Sequence, residues 1–149
     1  MTKLDDALSG VTRLAFDTSP VIYFVEAHPK YDALVTDIFQ RVADGRIIGV
    51  ASVITLSEVL VQPIQQNNAS LRQSYRELLL HSDNFELFSI NEAIAESAAD
   101  LRARYRLRTP DALQIANAID AACEAFLTND ATLKRVNELR VLTLDEMEI

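Results

Sequence analysis

The stretch RLAFDTSPVIYFV, residues 13–25, changes character at Asp17. RLAF is a short apolar run of strand type. The residues after Asp17 have helical composition, with Ser19 placed as a cap and Pro20 in the first turn. A buried strand that passes through one acid into a helix is the unit of an alternating α/β chain. The same alternation continues to the C-terminus. RIIGVA (46–51), FELFSI (85–90), AFLT (125–128) and RVLTL (140–144) read as further strands. Residues 31–44, 53–62, 71–80, 91–105 and 109–123 read as helices, and ATLKRV (131–136) as a short one. Leu34, Val35, Ile38, Phe39 and Val42 share one helical face, and Gly45 follows as a stop. Pro63 is expected to close the 53–62 helix, and Asn91 to cap the 91–105 helix. Strands separated by helices predict a parallel five-stranded sheet covered on both faces, a three-layer α/β/α sandwich. No repeat or linker interrupts the pattern. Residues 1–149 are therefore expected to form a single domain, with residues 1–12 as a leading segment.

Composition narrows the class. Apolar residues make up 49% and charged residues 24%, a globular rather than disordered profile. No apolar run has membrane-spanning length, and MTKLDDALSG lacks the apolar centre of a secretory signal. Cys123 is the single cysteine, so no intrachain disulfide can form and a cytoplasmic location is expected. The net charge of −8 argues against a protein that coats nucleic acid. Acids clustered around a cation would produce the same formal charge, which the bound cation offsets locally.

In open parallel sheets, function gathers beyond the carboxyl ends of the strands. Acids stand at or near those ends. Asp17 follows the first strand, and Asp130 follows AFLT in the run FLTND. Asp111 lies in the first turn of the helix TPDALQIANAI. Glu58 sits in VITLSEVLV (53–61), where no Lys or Arg occurs between Arg46 and Arg72. Each acid also has a local explanation. Asp17 and Asp130 suit helix caps, and Asp111 near a helix N-terminus is favourable by ~0.3–1 kcal/mol. Glu58 could face solvent, although its helical neighbours Ile54 and Val61 are apolar. Carboxylates that converge without a base repel one another, and a divalent cation removes that conflict. All-oxygen ligation suits Mg²⁺ or Mn²⁺, which keep several waters and bind phosphate.

These motifs, in this order, resemble the PIN-domain nucleases, and among them the VapC-type toxins of bacterial toxin–antitoxin pairs. LAFDTSPVIYFVE, SVITLSEVLV, TPDALQIANAI and FLTND resemble the family's successive acidic motifs, over residues 13–144. The resemblance implies that Asp17, Glu58, Asp111 and Asp130 form the catalytic metal site. Asp17 and Asp111 would be direct ligands, and Glu58 and Asp130 would act directly or through water. It assigns supporting roles to Thr18, Thr128 and Asn129. It also implies metal-dependent cleavage of RNA, a homodimer, and an antitoxin partner whose C-terminal segment lies in the active-site groove. The leading segment departs from toxins that begin almost at the first strand.

LRARYRLRTP carries Arg102, Arg104, Arg106 and Arg108 just before Asp111. Arg108 and Arg106 are candidate substrate contacts, with Lys134 and Arg135 as a second pair. Asp100 and Arg104 stand four residues apart, so pairing on a solvated face competes with that role. Other strand–acid–helix classes fit less well. Ser19 stands where a haloacid-dehalogenase-type phosphohydrolase needs its second Asp, and a receiver domain would need a Lys that is not in place. No G-x-G-x-x-G or P-loop is present. The competing reading from another class is a catalytically inactive PIN-like domain that acts as a protein- or RNA-binding module.

Overall fold

The computed structural model describes residues 1–149. Two short elements, β1 (Thr2–Lys3) and α1 (Leu4–Ala7), precede β2 (Arg13–Phe16). Then follow α2 (Thr18–Val25), α3 (Asp32–Ala43), β3 (Ile48–Ser52), α4 (Val53–Gln65), α5 (Ala69–His81) and β4 (Phe85–Phe88). The second half holds α6 (Glu92–Tyr105), α7 (Thr109–Asp120), β5 (Ala125–Thr128), β6 (Arg140–Thr143) and β7 (Met147–Glu148). Two 3₁₀ turns, Ala131–Arg135 and Leu144–Glu146, flank β6.

The main sheet has the order β4-β3-β2-β5-β6, and all its neighbours are parallel. Successive side chains on a strand point to opposite faces. Leu14 and Phe16 therefore join one core, with Val35, Ile38 and Phe39 of α3 and Tyr75 and Leu79 of α5. Ala15, Val50 and Phe126 join the other, with Ile94 and Leu101 of α6 and Ala112 and Ile115 of α7. The α/β/α layering and the five parallel strands expected from the sequence are present. At Gly49 of β3 an added Cβ would lie 2.5 Å from the Phe85 ring, so only glycine lets β4 approach so closely.

Several local expectations are corrected. Asp17, not Ser19, is the N-cap of α2: its carboxylate accepts from the Thr18 N–H, and Ser19 lies inside the helix. Pro63 lies inside α4, which runs to Gln65. Pro63 has no N–H to give the Val59 carbonyl, so one helical bond is missing there, and the helix ends two residues later. The helix expected over 109–123 stops at Asp120, because Ala122 turns left-handed (φ 58°) and the Cys123 N–H reaches back to the Ala118 carbonyl. Residues 1–12 are also more than a leader. Thr2 and Lys3 pair with Met147 and Glu148, while Leu4, Ala7, Leu8 and Val11 enter the first core.

The amino ends of the central strands are tied together by Glu124. Its carboxylate accepts from the backbone N–H groups of Thr12 and Arg13 and from the Thr12 hydroxyl. Polar groups at the carboxyl ends are bonded differently. No helix is long and apolar enough to cross a membrane.

Candidate active site

From β2 the chain lays down β3 and β4 on one side, then returns to place β5 and β6 on the other. The reversal leaves a crevice beyond the carboxyl ends of the central strands, the ligand position in such sheets. Asp17 sits there directly after β2, and Asp130 lies two residues beyond β5. Glu58 comes from the second turn of α4 and Asp111 from the first turn of α7.

Asp17 and Asp111 are buried, at 9% and 7% exposure, unlike most carboxylates. Asp17 is held from two sides. Its Oδ1 accepts from the Thr18 N–H at 2.7 Å and its Oδ2 from the Thr128 hydroxyl at 2.7 Å. Burial pushes the Asp17 carboxyl above the ordinary carboxylate range. The Thr128 and Thr18 hydrogen bonds counter that push, and the neighbouring charges of Asp111 and Glu58 add to it.

Glu58 is exposed as a residue, yet its Oε1 is bonded within the crevice. It accepts from the Thr18 hydroxyl at 2.6 Å and from the Gln114 amide at 3.2 Å. The Thr55 hydroxyl stands 3.2 Å from that of Thr18 and 3.4 Å from Gln114 Oε1. Thr55 and Gln114 are buried, and neither was expected from the sequence. Helical spacing could have found them: Thr55 stands three residues before Glu58 and Gln114 three after Asp111, each on its acid's face.

Arg108 caps the start of α7 and forks onto Asp111, with Nε 3.1 Å from Oδ2 and Nη2 3.5 Å from Oδ1. Of the four acids, Asp111 alone has an ion-pair partner. Asp111 chiefly, then Glu58 and Asp130, hold the Arg108 guanidinium above its ordinary pKa. Asp130 caps the 3₁₀ turn after β5, where its Oδ1 accepts from the Thr132 N–H and hydroxyl. Its own N–H donates to Thr128 Oγ1 at 3.1 Å, so one threonine joins Asp130 to Asp17.

The four acids thus share one end of the sheet, but no three His, Cys, Asp or Glu side chains are gathered as a closed metal cage. Asp111 is drawn to Arg108 and Asp130 to Thr132. The donor set still fits a hard cation: every candidate ligand is an oxygen, and two of the carboxylates are buried and mutually repulsive. Mg²⁺ also keeps several of its own waters, so carboxylates need not all touch it.

The other basic candidates divide. Arg106, the C-cap of α6, is exposed and left-handed (φ 56°). Arg135 donates to the carbonyls of Tyr105 and Arg106, which closes the end of α6, and Lys134 pairs with Glu146. Arg104 bonds Asp100 at 2.8 Å and Glu138 at 2.7 Å, so the solvated pairing is what the structure contains.

A parallel sheet with acids crowded beyond its central strands defines a class, and comparison with known proteins supplies the family. The PIN-domain family model matches residues 14–139, and the chain belongs to the PIN-domain family. Among solved structures it is similar to VapBC2 from Rickettsia felis bound to a promoter DNA fragment. That match has 18% identity and TM-score 0.70, and covers 88% of this chain and 98% of the other. A toxin–antitoxin complex from Klebsiella pneumoniae matches with 23% identity and TM-score 0.69, covering 88% and 97%. VapBC-1 from nontypeable Haemophilus influenzae matches with 20% identity and TM-score 0.62, covering 89% and 98%. No curated protein matches the chain.

Proposed function

We propose that the protein is a metal-dependent endoribonuclease that hydrolyses RNA phosphodiester bonds, and that it is the toxin of a toxin–antitoxin pair. The observation that supports this reading is that Asp17, Glu58, Asp111 and Asp130 come from four different elements toward the carboxyl end of one parallel sheet, with Asp17 and Asp111 buried. Asp17 and Asp111 are the buried pair that would hold Mg²⁺ or Mn²⁺ directly, with Glu58 and Asp130 acting directly or through water. When bound, such a cation lowers the pKa of a water and stabilises the leaving oxygen of a phosphodiester. Thr128 and Thr18 fix the Asp17 carboxylate, and Thr18 with Gln114 fixes Glu58. Arg108 stands where an incoming phosphate can replace Asp111 as its partner, and Arg106, two residues earlier in the chain, is exposed. Lys134 and Arg135 would have to leave Glu146 and the α6 carbonyls to serve the substrate.

The antitoxin partner is supported by the similarity to solved toxin–antitoxin complexes. A homodimer and a cytoplasmic location complete the proposal. The competing reading is a PIN-like module that binds without cutting, and the lack of a closed cage favours it. One experiment separates them. Purified protein is incubated with RNA in Mn²⁺ or Mg²⁺, in EDTA, and as Asp17→Asn. Cleavage that both controls abolish supports the nuclease. Cleavage that survives either control, or pure folded protein that cuts no RNA in either metal, overturns it.

A further inference from the structure

We infer that Tyr31 is a positioning residue for the acid-bearing turn 128–130, and that Asn129 anchors this turn instead of touching substrate phosphate. The inference rests on the metal-dependent cleavage proposed above and deepens it. Tyr31 is buried just before α3, and its hydroxyl donates to Asp145 Oδ1 at 2.6 Å. A phenol has one proton, so toward any further neighbour the Tyr31 oxygen acts only as an acceptor. That neighbour is Asn129, whose Nδ2 lies 3.1 Å from the Tyr31 hydroxyl and 3.2 Å from the Tyr23 hydroxyl. The commitment of Tyr31 to Asp145 decides which end of the amide faces the phenols. Both amide hydrogens are then engaged, and Asn129 Oδ1 is buried without a partner in the protein. A phosphate oxygen only accepts, so Asn129 has no donor left to offer it.

The anchor is rigid because three separate segments build it. The Tyr23 ring of α2 stacks on Tyr31 at 4.6 Å and 15°. His28 packs its ring against both, at 4.7 and 5.0 Å. Lys30 stands 3.3 Å from the Asp145 carboxylate and 5.2 Å from the Tyr31 ring centre. Asn129 carries this rigidity into the site, since its neighbours are Thr128, bonded to Asp17, and Asp130. Groups hydrogen-bonded directly to a metal ligand typically change affinity or activity by about 10–100-fold when removed, and Tyr31, one step further out through Asn129, belongs at the low end of that range.

Tyr31→Phe keeps the ring and removes only the oxygen. In metal-free protein, hydrogen exchange at the Asp130 N–H should quicken by at least about tenfold, while the Glu124 and Arg140 amides at the far sheet end keep their rates. Calorimetric Mn²⁺ affinity should fall about tenfold, and kcat on RNA should fall while KM stays constant. Asp145→Asn retains an acceptor for Tyr31 and should resemble wild type, whereas Asp145→Ala should follow Tyr31→Phe. A Tyr31→Phe protein with wild-type Mn²⁺ affinity and kcat overturns the inference alone, even if its melting temperature drops. Wild-type protein that binds no Mn²⁺ overturns the metal-site reading and the inference with it.

Discussion

Arg108 and Asp111 face each other across a single helical turn, the guanidinium forked over a carboxylate that is itself buried. The pair is lopsided. The Arg108 side chain is 77% exposed and that of Asp111 10%. An exposed arginine is easily withdrawn, so a cation entering the site competes with it on favourable terms. Arg108→Ala should therefore tighten Mn²⁺ binding by roughly two- to five-fold, the range for an exposed pair. It should also weaken RNA binding, because the phosphate loses its guanidinium. Calorimetry with Mn²⁺ and gel shift with RNA in EDTA read the two effects separately. If both affinities fell together, the arginine would be supporting the site rather than competing in it.

Asp17 gives a pH signature. Its carboxyl is pushed up, first by burial, so the folded protein prefers the neutral form more than the unfolded chain does. A raised folded pKa means that this contribution is fully present below the unfolded pKa and is lost as pH rises through the folded one. At neutral pH the metal-free wild type therefore carries a penalty that Asp17→Asn removes. The variant should melt on the order of a few degrees higher at pH 7, with the gap closing below the ordinary carboxylate range. Saturating Mn²⁺ should reverse the order. A lower melting temperature for metal-free Asp17→Asn at pH 7 would show that the Thr18 and Thr128 hydrogen bonds outweigh burial.

Gly49 should resist even alanine. The added methyl meets the Phe85 ring at 2.5 Å and the Phe16 ring at 3.3 Å. Overpacking of this kind costs about 1–3 kcal/mol. Urea unfolding of Gly49→Ala should show a lower midpoint with an unchanged slope.

Ala122 should accept glycine with a gain. It ends α7 in a left-handed conformation, φ 58°, that disfavours a Cβ. Ala122→Gly should stabilise the protein by about 0.5–1 kcal/mol, less than the full strain because glycine loses more chain entropy. Ala27, at φ 51° after α2, should behave likewise. Thermal melts of both variants test this, and a loss of stability in both would contradict it.

Cys123 should be chemically silent. Burial pushes its thiol up to about 12, against a smaller downward pull from Arg13. Little thiolate is present at neutral pH, and the sulfur is covered. Ellman's reagent should react only at the rate of unfolding, with full release in denaturant. Rapid reaction of native protein would mean that the α7–β5 turn opens locally.

Periodicity alone determined the alternation of strands and helices, because side-chain spacing of two or 3.6 residues is a local property of the chain. It placed RLAF and AFLT at the residues β2 and β5 occupy, and so set Asp17 and Asp130 just after strands, whereas Glu58 and Asp111 lie in helices that only the fold sets beside those strands. Local rules were less able to judge equally local alternatives. Asp17 and Ser19 could each cap a helix, and only the approach of Thr128 from β5, with the Thr18 N–H, fixed the choice. The same holds for the partners of the acids. Thr55, Gln114 and Tyr31 are ordinary residues in the sequence. Each meets the site through a hydrogen bond to a residue far along the chain, which exists only once the sheet has brought their elements together. The basic run shows the reverse. Four closely spaced arginines look equivalent on paper, but α6 ends between Arg104 and Arg106, and each guanidinium then answers to a different set of neighbours. Charge type was local information; which charges meet was decided by the fold, since Coulomb and hydrogen-bond energies depend on distances that only tertiary packing sets.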